Sequence, residues 1–270
     1  MADWKLIKAK RTSSCEVCGQ LSPTGSEIYW SRSKGVIRCL DCGSTASIGD
    51  FDESGIAGKS AQLQYERKSE KTRQTRENLL GAKFGRVASF LMGEGQDAKA
   101  WKKGAIGERY IGKVLAKMCS EYGFMVLHDR QIPDSKANID HILITDRGVF
   151  VIDAKNYEGL VRIDQQGGIL SPLVETLYVG NRKQTKLVEG VKKQVGIVSS
   201  ALLKGNIEAH VQGVLAFYNA EWPIFFKPTE IDGVLINSKG IEASILKLPV
   251  IEGIQINKIF DFLKKAFPVK

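Results

Sequence analysis

Two short stretches carry side chains that could do chemistry together. Asn138-Ile-Asp140-His-Ile-Leu-Ile-Thr is followed by Gly148-Val-Phe-Val-Ile-Asp153-Ala-Lys155-Asn-Tyr157. Both read as strands, joined at Asp146-Arg147-Gly148, a turn signal. In a strand, residues i and i+2 point to one side, about 6–7 Å apart. Asp153 and Lys155 therefore project together, and a hairpin brings Asp140 alongside Asp153. Two carboxylates on adjacent strands suit a hard divalent cation, Mg²⁺ or Mn²⁺. A neighbouring ammonium can orient or deprotonate a water and stabilise negative charge on a phosphate. Hydrolysis of a phosphodiester needs those parts.

A fourth group lies upstream. Ile106, Tyr110, Ile111, Val114, Leu115 and Met118 recur at helical spacing, which predicts an amphipathic helix over 105–120. Glu108 falls on the inward stripe, three residues before Ile111 and seven before Leu115. A carboxylate there is costly unless it is paired or bound to metal. Gly104 and Gly107 keep the start of that helix narrow. The competing reading is an Asp153–Lys155 ion pair at a strand edge, with Glu108 as a cap or surface residue. An Asp-x-Lys triplet alone would favour that reading. The combination with Asp140, the hairpin and an inward Glu favours an active site.

The elements that must position these groups form an α/β pattern. Phe124–Leu127 and Ile139–Thr145 read as strands, and a third runs over 149–157. Val149 and Val151 face one side of the third strand, Phe150 and Ile152 the other. A strand apolar on both faces belongs inside a covered sheet. Val161–Asp164 and Thr176–Val179 are expected to extend that sheet. A helix is predicted over 186–203, with Leu187, Val188, Val191, Val195, Val198 and Leu202 on one stripe. Strands follow at 211–218 and 233–236. A closing helix over 257–267 turns Ile259, Phe260, Leu263 and Phe267 inward.

The N-terminal part is of another kind. Cys15-Glu-Val-Cys18-Gly precedes Cys39-Leu-Asp-Cys42-Gly. Two Cys-x-x-Cys pairs at this separation point to a structural Zn²⁺ held by four thiolates, at about 2.3 Å each. So small a module cannot bury much core, so the metal would supply folding energy. Two disulfides or a redox dithiol are the alternatives. Tyr29, Trp30, Val36 and Ile37 would form a hairpin between the knuckles. Cys119, on the 105–120 stripe, reads as a buried apolar thiol.

Three segments separate by composition: a four-cysteine zinc ribbon over 1–56, a charged helical linker over 57–100, and the catalytic domain over 101–270. The whole chain of 270 residues carries 39 basic and 30 acidic residues, net +9. The first segment is neutral, so the positive charge lies on the other two. Such an excess favours polyanionic partners, chiefly nucleic acid or an anionic membrane. No apolar run is long enough to span a bilayer, and the N-terminus lacks the apolar stretch of a signal peptide. A cytoplasmic protein without a membrane partner is the expectation. Gly93-Glu-Gly95 lacks the lysine of a phosphate loop. His128, His141 and His210 share no metal-ligand spacing, and His141 should point away from Asp140 as a structural histidine.

Gly104-Ala-Ile-Gly107-Glu108, Asn138-Ile-Asp140-His141-Ile and Gly148-Val-Phe-Val-Ile-Asp153-Ala-Lys155-Asn-Tyr-Glu-Gly159 resemble the nuclease-related domain (NERD) family, part of the PD-(D/E)XK restriction-endonuclease-like superfamily. The resemblance covers about 101–220 in order. It implies a mixed central sheet flanked by helices, divalent-metal dependence and phosphodiester hydrolysis, with DNA the expected substrate. By resemblance Glu108, Asp140 and Asp153 are the metal-site carboxylates and Lys155 the catalytic lysine. Ile139 stands where the superfamily has Pro, and Asp153 where Glu is commoner. The family's helical Gln falls on Gln194 better than on Gln184, although neither follows the usual Asn-Pro. The four-cysteine module resembles zinc ribbons of DNA-processing enzymes. A nucleic-acid-binding or assembly protein with this fold and little catalysis is the competing function, and a protein partner or homo-oligomer fits either reading.

Overall fold

The computed structural model describes residues 4–16, 21–33, 35–40, 55–80, 96–167, 173–223, 229–237 and 240–270. For residues 69, 72–73, 76–80, 96–103 and 229 it describes the backbone alone. The chain divides into two compact units, Met1–Asp52 and Glu53–Lys270.

The first unit holds five short strands: β1 (Trp4–Lys8), β2 (Ser13–Ser14), β3 (Leu21–Ser22), β4 (Glu27–Ser31) and β5 (Val36–Cys39). β1, β4 and β5 form one antiparallel sheet, and β2 pairs with β3. The hairpin expected around Tyr29, Trp30, Val36 and Ile37 is β4–β5, with Trp30 opposite Ile37 and Ser31 opposite Val36. Cys15 and Cys39 are buried together against Ile37. Cys18 and Cys42 lie outside the described residues, as do Gly93 and Gly95.

In the second unit, helix α1 (Lys59–Leu80) is followed by α2 (Gln96–Tyr122). Strands β6 (Met125–Gln131), β7 (Asn138–Thr145), β8 (Gly148–Lys155), β9 (Gly159–Gln166), β10 (Val174–Val179) and β11 (Arg182–Lys183) come next. Then follow α3 (Thr185–Lys204), β12 (Val211–Phe217), β13 (Ala220–Glu221), β14 (Thr229–Ile231), β15 (Val234–Asn237), α4 (Ile241–Leu246) and α5 (Ile256–Ala266). The fold is a mixed α/β arrangement. Its main sheet has six strands in the order β14-β15-β12-β8-β7-β6. The pairs β8–β12 and β12–β15 are parallel, and the others antiparallel.

The alternation along β8 sorts the core as its sequence implied. Val149 and Val151 pack with Val198 and Leu202 of α3 and with Ile259, Phe260 and Leu263 of α5. Phe150 and Ile152 pack on the opposite face with Ile111, Leu115 and Met118 of α2 and with Ile241 and Ile245 of α4. Helices thus cover both faces, which is why β8 can be apolar throughout.

Two expectations change. The 161–164 and 176–179 strands do not extend the main sheet. They belong to a separate four-stranded sheet, β11-β10-β9-β13. Val161, Leu177 and Val179 of that sheet are buried against Val188 and Val191 of α3 and Phe217 of β12. Burying that apolar row on α3 decides the placement, and strand patterning alone cannot see it. The amphipathic helix is also longer than its apolar stripe, beginning at Gln96 rather than at 105.

Candidate active site

The site lies where β7 and β8 part. Their ladder runs from Thr145 opposite Gly148 to His141 opposite Ile152. One residue beyond, Asp140 Oδ2 accepts the backbone N–H of Ala154 at 3.0 Å. This bond pins the Asp140 carboxylate to the strand that bears Asp153. Lys155 Nζ lies 2.6 Å from Asp153 Oδ2. Within β8, Asp153 and Lys155 alternate with Ile152 and Ala154, whose side chains pack with α2.

Glu108 reaches the same region from α2, and the charges of Asp140, Lys155 and Asp153 all bear on it. The helix can do this because its first half abuts the end of β8. A Cβ on Gly107 would lie 3.0 Å from Asn156 Cβ. The Tyr110 and Tyr218 rings stack at 4.5 Å, and the Tyr218 N–H donates to the Lys155 carbonyl at 2.8 Å. Gly107 thus provides the close approach its position suggested. Gly104, in contrast, faces open space.

Glu108, Asp140 and Asp153 are each 9 % exposed. Burial disfavours the charged form of all three. Glu108 is pushed up to about 9, first by burial and then by the negative charges of Asp140 and Asp129, with Lys155 pulling the other way. Asp153 is raised to about 6 by burial, against the pull of Lys155 and with a push from Asp140. Asp140 is also raised by burial, opposed by Lys155 and by the Ala154 N–H. Burial works against the Lys155 ammonium. Asp153 and Asp140 outweigh it and hold the lysine above its ordinary value. In this arrangement Lys155 is a cation that can stabilise negative charge.

The donor set suits a divalent cation in its chemistry. Asp140 and Asp153 supply hard oxygens, and Glu108 Oε2 is buried without a hydrogen-bond partner. As the side chains stand, no group of three or more His, Cys, Asp or Glu among the described residues forms a ready metal-binding cluster.

Gln194 sits on α3, on the stripe between Val191 and Val198, and its Oε1 is buried without a hydrogen-bond partner. α3 packs on the face of β8 that bears Val149 and Val151. Gln184 precedes α3, and its N–H donates to the Leu177 carbonyl at 2.7 Å. His141 turns toward α2, where a Cβ on Gly112 would lie 3.7 Å from its Cε1. Its Nδ1 meets Nδ1 of His128 at 2.8 Å. Burial pushes His141 down to about 3 and His128 well below the usual range, so the pair is neutral.

One participant was invisible in the sequence pattern. Asp129 of β6 is fully buried and its charge bears on both Glu108 and Asp140. Neither spacing nor periodicity marks it, because its partners lie far away in the chain.

A mixed α/β domain whose large mixed sheet is flanked by helices is compatible with a nuclease-like fold. Residues 103–218, from within α2 to just past β12, match the NERD family, described as "Nuclease-related domain". An uncharacterized protein of Bacillus anthracis is 37% identical over 62 residues, which are 22% of this chain and 29% of that protein. The chain thus aligns with less than a third of that relative's length. No solved structure matches.

Proposed function

We propose that this nuclease-related domain is a divalent-metal-dependent nuclease of the PD-(D/E)XK type that hydrolyses phosphodiester bonds, with DNA as its substrate. The observation that carries this reading is the buried Asp140–Asp153 pair, flanked by the Lys155 cation and by the unpartnered Glu108 Oε2. A pure scaffold has little use for three carboxylates held out of water. Glu108, Asp140 and Asp153 would hold Mg²⁺ or Mn²⁺. Such an ion supplies Lewis acidity to the phosphate and lowers the pKa of a bound water. Lys155 stabilises charge developing on the phosphate, and Gln194 helps to position the water or the phosphate. The net charge of +9 favours a polyanionic substrate.

In the N-terminal unit, Cys15, Cys18, Cys39 and Cys42 would hold a structural Zn²⁺. The burial of Cys15 beside Cys39 supports this. Among the described cysteines, none is joined to another by a disulfide.

A second reading is a nucleic-acid-binding or assembly protein with little catalysis. The Lys155–Asp153 ion pair favours it, because it satisfies both charges without a metal. Incubating the protein with linear, circular and single-stranded DNA and with RNA separates the two. Each substrate is given Mg²⁺, Mn²⁺ or chelator. Cleavage that needs metal and vanishes in Asp153→Ala supports the nuclease. Binding without cleavage under every condition supports the second reading.

Among the described residues no helix is long and apolar enough to cross a membrane. Localisation in the cytoplasm is part of the same proposal.

A further inference from the structure

Asp129 holds an uncommon backbone conformation. Its φ is +51°, a left-handed value that few non-glycine residues adopt. Such a residue persists where its surroundings over-determine it, and here the side chain shows how. Asp129 Oδ2 accepts the Ser60 N–H at 2.6 Å, and Oδ1 accepts the Ser60 hydroxyl at 2.5 Å. Oδ1 also accepts Asn138 Nδ2 at 2.8 Å, and that nitrogen lies 3.2 Å from Ser60 Oγ. Ser60 stands in the first turn of α1. One of that turn's backbone donors, the Ser60 N–H, is thus met by a carboxylate from a strand 69 residues away.

The same carboxylate is tied to the catalytic strand. Asn138 opens β7, two residues before Asp140. The β6–β7 ladder pairs His128 with His141 and Arg130 with Ile139. Asp129 is the residue between them and faces the Asp140 position. The approach to α1 is equally close. A Cβ on Gly55 would lie 2.2 Å from the His128 carbonyl oxygen, and Arg109 Nη2 of α2 donates to Gln62 Oε1 at 3.0 Å. The N-terminal end of α1 is therefore seated on β6 and α2.

We infer that Asp129 is a positioning residue, which fixes the Asp140 strand through Asn138 and makes the first turn of α1, through Ser60, part of the catalytic unit. This rests on the nuclease reading of the Asp140–Asp153 site. The negative charge of Asp129 also bears directly on Asp140 and Glu108, so it adds to the pull of the site on a cation.

The test uses the full chain and the variants Ser60→Ala, Ser60→Thr, Asp129→Asn and, as a control on an exposed face of α1, Thr75→Ala. The measurements are kcat and KM on linear duplex DNA with Mg²⁺, Mn²⁺ affinity by electron paramagnetic resonance, and the melting temperature of each variant. Loss of an outer-shell partner lowers kcat or metal affinity about 10- to 100-fold. Asp129→Asn and Ser60→Ala should show such a loss in kcat and weaker Mn²⁺ binding, with KM little changed. Ser60→Thr, which keeps the hydroxyl, should recover most of it, and Thr75→Ala should match the parent. The inference is overturned if Asp129→Asn and Ser60→Ala keep the parent's kcat and Mn²⁺ affinity while only their melting temperatures fall. If the parent itself binds Mn²⁺ and cleaves nothing, the nuclease reading fails. Positioning by Asp129 is then decided by the Mn²⁺ affinities alone.

Discussion

The ammonium of Lys155 lies 2.6 Å from Asp153 Oδ2, two residues along the same strand and on the same face. Each partner keeps the other charged in a site that burial would otherwise neutralise. Lys155→Met should therefore raise the pKa of Asp153 further, so that the carboxylate protonates instead of standing alone as a buried charge. The stability cost is accordingly held to about 3 kcal/mol or less, below the full cost of a broken buried pair. Nuclease activity should fall about 100- to 1000-fold, as on removing a donor to developing charge. Cleavage assays and denaturant unfolding check the two figures. Unchanged cleavage would remove Lys155 from the site.

Glu108 sets a pH dependence whose sign is the reverse of the usual carboxylate. Its folded-state pKa is about 9, against an ordinary value of 4.5. The folded protein thus holds this proton more tightly than the unfolded chain does. The stability from this group is complete below pH 4.5 and is lost as pH rises toward about 9. Asp153, at about 6 against 3.8, acts with the same sign over a lower window. In chelator, Glu108→Gln should unfold at a higher temperature than the parent at pH 8–9. The difference should close near pH 5. A difference that does not vary with pH would show that Glu108 is ionised in the folded protein.

Divalent metal should restore what alkaline pH removes. A ligand at 100 times its Kd stabilises the folded state by about 2.7 kcal/mol. Mn²⁺ should raise the melting temperature of the parent at pH 8, and Asp140→Ala and Asp153→Ala should abolish the shift. An equal shift in all three proteins would place the metal elsewhere.

Gly107 is limited by contact. An alanine Cβ there would meet Asn156 Cβ at 3.0 Å, so α2 or the end of β8 must give way. Gly107→Ala should cost about 1–3 kcal/mol through overpacking and lower activity by moving Glu108. Gly104→Ala meets nothing within 4 Å and should leave activity at the parent level. Equal activity in the two variants would show that the approach of α2 to β8 does not set the site.

Zinc content tests the N-terminal unit. The purified protein should carry about one zinc per chain by elemental analysis, as one four-thiolate site requires. Cys39→Ser should lose the metal and, with it, protection of β4 and β5 in hydrogen exchange. Zinc-free protein with β4 and β5 still protected would make the cysteines ordinary core residues.

Much of the site was legible in the sequence because it is local. The i, i+2 relation of Asp153 and Lys155, the hairpin at Asp146–Gly148 and the helical phase of Glu108 are set by backbone geometry within a few residues. The two-faced apolar pattern of β8 likewise foretold helices on both sides. Tertiary structure decided the rest, because it depends on contacts between distant segments. The burial that lifts Glu108 to about 9 comes from seating α2 against the end of β8. The separate β9–β10 sheet exists because Val161, Leu177 and Val179 bury their side chains against α3 and β12 instead of pairing along the main sheet. Ser60 reads as one more polar residue before a charged helix until Asp129 arrives from β6. No spacing rule relates residues 69 positions apart, whereas a shared buried carboxylate does.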